Sequence, residues 1–148
     1  MKTLQFTKVI NAPADRVWDV LWNKGTYSVW TKPFYSKGSS FMHSDWQIGG
    51  KTLFTDENKN GMVSTIVSKN EPYDVVFEHL GEVTNGVEDT TSDRVKMWAG
   101  SLEEYHLKEN DGQTTLTASV QVGEQMEDMM NKGFTEGLNE VKRLAEEK

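Results

Sequence analysis

Three histidines, His43, His79 and His106, and the glutamates Glu78, Glu103 and Glu104 could move protons or hold a metal in this chain. A zinc site needs three or four convergent ligands, and catalytic zinc commonly uses a tight helical pair. The histidines fall in separate predicted strands with no paired spacing, so edge or surface positions are expected and no metal ligand is assigned. A carboxyl facing a dry interior has a raised pKa and can serve as general acid or base. Glu103 and Glu104 are adjacent, so a regular strand sends them to opposite faces, and one points inward or pairs with a neighbour. Alternation leaves the face of Glu78 open, because Val75, Val76 and Phe77 are all apolar. No catalytic residue and no cofactor are assigned.

Asp56-Glu57-Asn58-Lys59-Asn60-Gly61 matches the first half of a calcium loop, with glycine sixth. The twelfth position is Val67 instead of a bidentate glutamate, and the flanks read as strands. A solvated hairpin turn is expected there. The chain has no cysteine, which removes disulfides, thiolate metal sites and a cysteine nucleophile. It has no Gly-x-Ser-x-Gly elbow and no phosphate-binding glycine loop. Gly133 and Gly137 lie four apart on the predicted last helix, where each costs about 1 kcal/mol relative to alanine. Close strand approach, space for a ligand, or tolerated surface glycine would each account for them.

Aromatic and sulfur side chains are the most suggestive feature, with 5 Trp and 7 Met. Trp46, Phe54, Phe77, Trp98 and Tyr105 fall in predicted strands, and Met126, Met129, Met130 and Phe134 open the last helix. Methionine adapts its shape, so a Met-rich end suits an irregular or ligand-accepting interior. Plain core packing explains the same residues, and Trp18 and Trp22 are assigned to the core of the first helix.

The elements that must carry these residues follow from hydrophobic period. Leu4, Phe6 and Ile10 alternate with polar residues, predicting a strand over 3–10. Pro13 marks a helix start; Ala14, Val17, Trp18, Leu21 and Trp22 form its stripe, and Gly25 is read as its end. A second helical turn carries Tyr27 and Trp30 before Pro33. From about Ser39 the period becomes two, through Trp46, Ile48, Thr52 and Phe54, then 62–67 and 73–80. Residues 82–93 read as an exposed loop, 95–107 as one long strand, and Asn110-Asp111-Gly112 as a hairpin turn. Leu116, Ala118, Val120 and Val122 alternate cleanly. Met126, Met130, Phe134, Leu138, Val141 and Ala145 then mark one face of a helix of some six turns beginning near Glu124.

Lys and Arg number 16 against 23 Asp and Glu, a formal charge of −7. That balance opposes nucleic acid and anionic membrane surfaces, and no basic cluster longer than Lys142-Arg143 overrides it. No apolar run approaches the ~20 residues of a membrane span, and no signal peptide is read, so a cytoplasmic location is expected. The length suits one domain, 1–148, without repeats or linker.

Asn11-Ala12-Pro13-Ala14-Asp15-Arg16-Val17-Trp18, Trp30, Gly49-Gly50, Glu78-His79-Leu80-Gly81-Glu82, Trp98, Glu104-Tyr105 and the closing amphipathic helix resemble the SRPBCC (START-like) superfamily. More narrowly, they are similar to the branch of the activator of the heat-shock protein 90 ATPase. The resemblance implies an α+β helix-grip fold: a curved antiparallel sheet of six to seven strands wrapped around a long C-terminal helix, with short helices after the first strand. It also implies a cavity between sheet and helix. Binding of a small apolar or amphipathic molecule there is the expected function, with Trp46, Phe54, Phe77, Trp98, Tyr105, Met126, Met130 and Phe134 as lining. A chaperone-associated interaction module and a cyclase- or hydrolase-type enzyme using an inward Glu or His are the alternatives that the resemblance implies, and a monomer or weak dimer is expected.

Overall fold

The computed structural model describes residues 1–34 and 40–147. Ser39, where the sequence pattern shifts to a period of two, lies outside the described residues. Strand β1 (Lys2–Ile10) buries Leu4 and Ile10 while Gln5 and Thr7 face solvent. Pro13, at φ −70°, leads directly into α1 (Ala14–Trp22), whose Ala14, Val17, Trp18 and Leu21 are buried. Gly25 does not end this helix. Asn23 does, by turning extended at ψ 135° and then capping α2 (Lys24–Trp30) with its side chain, which accepts from Gly25 N at 2.9 Å. Tyr27 and Trp30 are buried on α2, and Pro33 sits in the 3-10 turn Lys32–Phe34 that follows.

The remaining strands are β2 (Ser40–Ser44), β3 (Lys51–Asp56), β4 (Gly61–Asn70), β5 (Asp74–Thr84), β6 (Val87–Asp89), β7 (Leu102–Asn110) and β8 (Gln113–Val122). They form an antiparallel sheet in the order β1-β8-β7-β5-β4-β3-β2, with short β6 paired to β5. Sequential hairpins place neighbours in chain order side by side, and β1 closes onto β8 across the whole chain, Lys2 opposite Val122 and Ile10 opposite Thr114. Residues 56–61 are the β3–β4 turn, where Asp56 Oδ1 accepts from Asn58 N at 2.8 Å and Asn60 N at 3.0 Å.

The long strand expected over 95–107 is two elements. Ser92 caps the short helix α3 (Asp93–Lys96), Val95 buries itself, and β7 begins only at Leu102. The expected loop over 82–93 likewise carries the end of β5 and all of β6.

A 3-10 turn (Glu124–Met126) leads into α4 (Glu127–Glu146). Phe134, Leu138, Val141 and Ala145 are buried, as the predicted stripe requires. Sheet and short helices share the cover: α4 packs on β1, α1, α2 and the 3-10 turn at Lys32–Phe34. Gly133 and Gly137 are buried, not surface residues. A Cβ on Gly137 would lie 2.7 Å from the Trp30 carbonyl oxygen, and one on Gly133 would lie 2.3 Å from the Phe34 ring. Both glycines thus serve close approach, of a helical segment rather than a strand. Among the described residues, no helix is long and apolar enough to cross a membrane.

Candidate functional site

Strand β5 alternates strictly, so Val75, Phe77, His79 and Gly81 turn to one buried face. On neighbouring β7 the buried residues are Tyr105 and Leu107, and Glu103 shares their parity. Phe77 stands opposite Glu103 and Val75 opposite Tyr105. On the other side of β5, a register shift between Val63 and Ser64 brings Ser64 opposite His79. The concave face therefore carries a polar strip set among apolar side chains.

That strip is hydrogen-bonded end to end. Ser64 Oγ lies 2.6 Å from His79 Nδ1, and His79 Nε2 lies 3.0 Å from Glu103 Oε1. Tyr105 donates its hydroxyl to Glu103 Oε2. One proton arrangement satisfies every atom with a neutral imidazole: Ser64 donates to Nδ1, Nε2–H donates to one carboxylate oxygen, and the phenol donates to the other. Burial pushes the Tyr105 phenol well above its ordinary pKa, and the charge of Glu103 and their shared hydrogen bond push it further, so it remains a donor. The side chains of His79 and Glu103 are only 7% and 16% exposed. The edge or surface position expected for histidine is therefore wrong for His79. It holds for His43, which is exposed, and for His106, half-buried on the outer face with Asp74 and Glu104. Of the two adjacent glutamates, Glu103 is the inward one.

A triad of Ser, His and Glu invites a nucleophilic reading, but Ser64 has no accessible surface at all. A nucleophile must reach its substrate, and this hydroxyl ends the strip inside the sheet. What the strip offers is acceptor capacity. A carboxylate has about four lone-pair sites, and Glu103 uses one on each oxygen for His79 and Tyr105.

Around the strip lies an aromatic layer. Phe54 packs against His79 at a ring separation of 6.0 Å and against Phe77 at 5.2 Å. Phe77 and Tyr105 are 6.4 Å apart, as are Tyr105 and Phe134. Trp46 joins them 6.3 Å from Phe77. Five of the side chains expected to line a cavity, Trp46, Phe54, Phe77, Tyr105 and Phe134, thus meet in one cluster. Met130 is half-buried against the same core. Met126 is half-buried in the turn before α4. Trp98 is not on a strand; it follows α3, with its N–H bonded to Val95 O. Trp46 is not on a strand either, but in the β2–β3 connection at φ +58°.

Trp22 was assigned to the core of α1, and it does occupy the centre of the layer. Its ring lies 4.9 Å from Tyr105, 5.5 Å from Phe77 and 5.6 Å from Trp46. Among the described residues, its Nε1 is the one buried side-chain nitrogen or oxygen without a hydrogen-bond partner. Spacing along the chain gave no sign of that.

Two recesses open beside α4. One of about 800 Å³ lies on its outer side, bordered by Val29, Phe34, Met129, Lys132 and Arg143. The other, about 310 Å³, runs along the seam with β1, between Phe6 and Phe134, Leu138 and Asn139. Among the described residues no group of three or more histidine and carboxylate side chains is arranged to hold a metal ion.

Residues 11–146 match the family described as "Activator of Hsp90 ATPase homolog 1-like protein". The chain belongs to that family. Its fold recurs in protein NE0264 from Nitrosomonas europaea, with a TM-score of 0.70 and 17% identity over 97% of this chain and 93% of that one. The Aha1 of Colwellia psychrerythraea, solved as a dimer, matches at TM-score 0.69 and 13% identity over 99% and 97% of the two chains. CalU16 from Micromonospora echinospora matches at 0.65 and 18% identity, over 97% of this chain and 65% of that one. At such identities the likeness shows the helix-grip fold. No curated protein sequence is significantly similar to the chain.

Proposed function

We propose that this family member binds a small amphipathic molecule between the concave sheet and α4, with a hydrogen-bond donor of the ligand meeting Glu103. The observation that carries this reading is the placement of an inward, half-buried carboxylate, already oriented by His79 and Tyr105, beside an aromatic layer. A ligand site of this kind has mostly apolar walls and a few polar groups that fix orientation. Trp46, Phe54, Phe77, Tyr105, Met126, Met130 and Phe134 supply the walls in this reading, and Trp98 borders the turn that leads into β7. Half-buried Met42 and Met130 beside the core are the side chains best able to re-pack around a guest.

The test is a titration of tryptophan fluorescence, with native mass spectrometry, against dodecylamine, dodecanol and decane. Dodecylamine and dodecanol should bind better than decane. Glu103→Gln should weaken dodecylamine by roughly tenfold or more, since a hydrogen bond to a charged group is worth about 1.5–3 kcal/mol. Equal affinity for all three probes, or none, would remove the reading.

The family description supports a second reading, contact with the heat-shock protein 90 ATPase. The chain would then change that chaperone's ATPase rate at micromolar concentration. The dimeric Colwellia relative makes self-association the state to follow in the same experiment, by sedimentation.

A further inference from the structure

Trp46 combines three properties that do not usually occur together. Its backbone is left-handed, at φ +58°, a conformation that bulky side chains rarely adopt and that surrounding contacts must hold in place. It sits on a connection whose neighbours Asp45, Gln47, Ile48 and Gly49 are exposed. Yet its indole reaches into the molecule and lies 6.1 Å from Trp18, 5.6 Å from Trp22 and 6.3 Å from Phe77. The contacts that hold it are few: Ser44 Oγ accepts from its N–H at 3.0 Å, and Lys69 Nζ donates to its carbonyl at 2.6 Å.

One of the rings it packs against carries the unsatisfied donor. Trp22 Nε1 is enclosed and unpaired, while its ring has Trp18, Tyr27, Trp46, Phe77 and Tyr105 as neighbours. A buried donor without an acceptor costs free energy, and such an atom in a native structure calls for an account. Trp46 stands edge-on to that indole at 5.6 Å, one of the five aromatic rings packed around it.

We infer that Trp46 is an internal plug, and that a planar aromatic ligand carrying a hydrogen-bond acceptor displaces it, stacks in the cage of Trp18, Trp22, Phe77 and Tyr105, and takes the Trp22 indole N–H. This goes beyond the ligand-binding reading above, because the guest meets Trp22 instead of Glu103. The exchange is near-balanced by construction: one aromatic bicycle replaces another, the left-handed backbone of Trp46 is released, and the orphaned donor is satisfied. The displacement is confined to the residues next to Trp46, because Gly49 N donates to Ile66 O at 2.8 Å and Thr65 Oγ1 to Gly50 O at 2.8 Å, which hold the end of the connection on β4.

The prediction is quantitative, because a site open only in a minor conformer shows an affinity reduced by the population of that conformer. Minor states commonly hold about 0.1–10% of the protein, so deleting the plug should tighten binding roughly 10- to 1,000-fold. Isoquinoline and naphthalene are the probes, equal in shape and differing in one acceptor nitrogen, used at mildly alkaline pH. Trp46→Ala should bind isoquinoline within that range more tightly than the unmodified chain, and isoquinoline in preference to naphthalene. Adding Trp22→Phe should abolish the preference. In 5-fluorotryptophan-labelled protein, the Trp46 resonance, assigned by its loss in Trp46→Phe, should move toward the solvent position as isoquinoline is added.

Unchanged affinity in a folded Trp46→Ala protein overturns the inference. If that variant does not fold, the fluorine spectrum of the labelled, unsubstituted chain decides, and a stationary Trp46 line at saturating isoquinoline overturns it. The two readings fail separately. Dodecylamine binding to Glu103→Gln reads the Glu103 proposal, and isoquinoline binding to Trp46→Ala reads the plug. Loss of the dodecylamine effect alone removes the Glu103 reading, and loss of the Trp46 effects alone removes the plug.

Discussion

At the scale of single residues, the two faces of the sheet treat histidine in opposite ways. His79 is held on the inner face between Ser64 and Glu103, whereas His106 stands on the outer face with Nδ1 2.6 Å from Asp74 and Nε2 3.2 Å from Glu104. Partial burial opposes the charge on His106, but the hydrogen bonds and charges of Asp74 and Glu104 outweigh it and raise its pKa. A raised folded-state value contributes stability that is fully present below the unfolded value of about 6.5 and is lost as pH rises through the folded one. His106→Gln should therefore destabilise the protein below about pH 6.5 and leave it unchanged in alkali. Because the pair is substantially exposed, the difference should stay under about 1 kcal/mol in urea melts. A pH-independent difference would show that packing, not charge, is what His106 contributes. The inward partner Glu103 was legible in principle: Glu103, Tyr105 and Leu107 share one parity, and Glu104, His106 and Lys108 the other. The inward turn of His79 was not, because the apolar run Val75-Val76-Phe77 hides the alternation and the β4 register shift that supplies Ser64 leaves no mark in composition.

At the scale of elements, what could be read was whatever one period governed along its whole length. β1, β8 and α4 emerge where their patterns put them, since each buries a single continuous face. Trp46 and Trp98 were misplaced on strands because both sit where the chain leaves the pleat, one at a left-handed residue and one after a single helical turn. A local backbone choice overrides the period there. The glycines of α4 show the same limit. Their cost in a helix is visible in the sequence, but the partner that compensates it is not. Gly137→Ala gains about 1 kcal/mol of helix propensity and meets the Trp30 carbonyl oxygen at 2.7 Å. A backbone atom cannot turn away, so overpacking of about 1–3 kcal/mol should win and the variant should be less stable. Gly133→Ala meets the Phe34 ring instead, which is half-buried and can swing outward, so its loss should be smaller. Thermal melts of the two variants test the order; a stabilised Gly137→Ala would mean that α2 can slide away from α4.

At the scale of the molecule, α4 is tied by polar bonds at both ends, Lys2 Nζ donating to Glu127 Oε2 at 2.9 Å at its start, and by one aromatic side chain between them. Arg16 Nη2 donates to Leu144 O at 2.9 Å, and Asn11 N donates to Glu146 Oε2 at 2.8 Å, tying the end of the helix to the first turn of α1 and to the β1–α1 connection. Phe134 does the other half of the work: it stacks on Phe6 of β1 at 5.0 Å, meets Phe34 edge-on at 4.9 Å and reaches Tyr105 of β7 at 6.4 Å. Among the described residues, no other residue of α4 joins the sheet edge, the short helical segment and the strand that carries Glu103 through ring contacts. Phe134→Ala should cost about 3–5 kcal/mol, a large share of the roughly 5–15 kcal/mol that holds such a domain together. If the domain unfolds as one unit, the urea midpoint falls and the slope stays constant. A lowered slope would mean that α4 and the sheet come apart in separate steps. The same variant loosens the wall beside Tyr105, so dodecylamine affinity should change even under conditions where the protein remains fully folded. Unchanged affinity there would place the ligand away from α4.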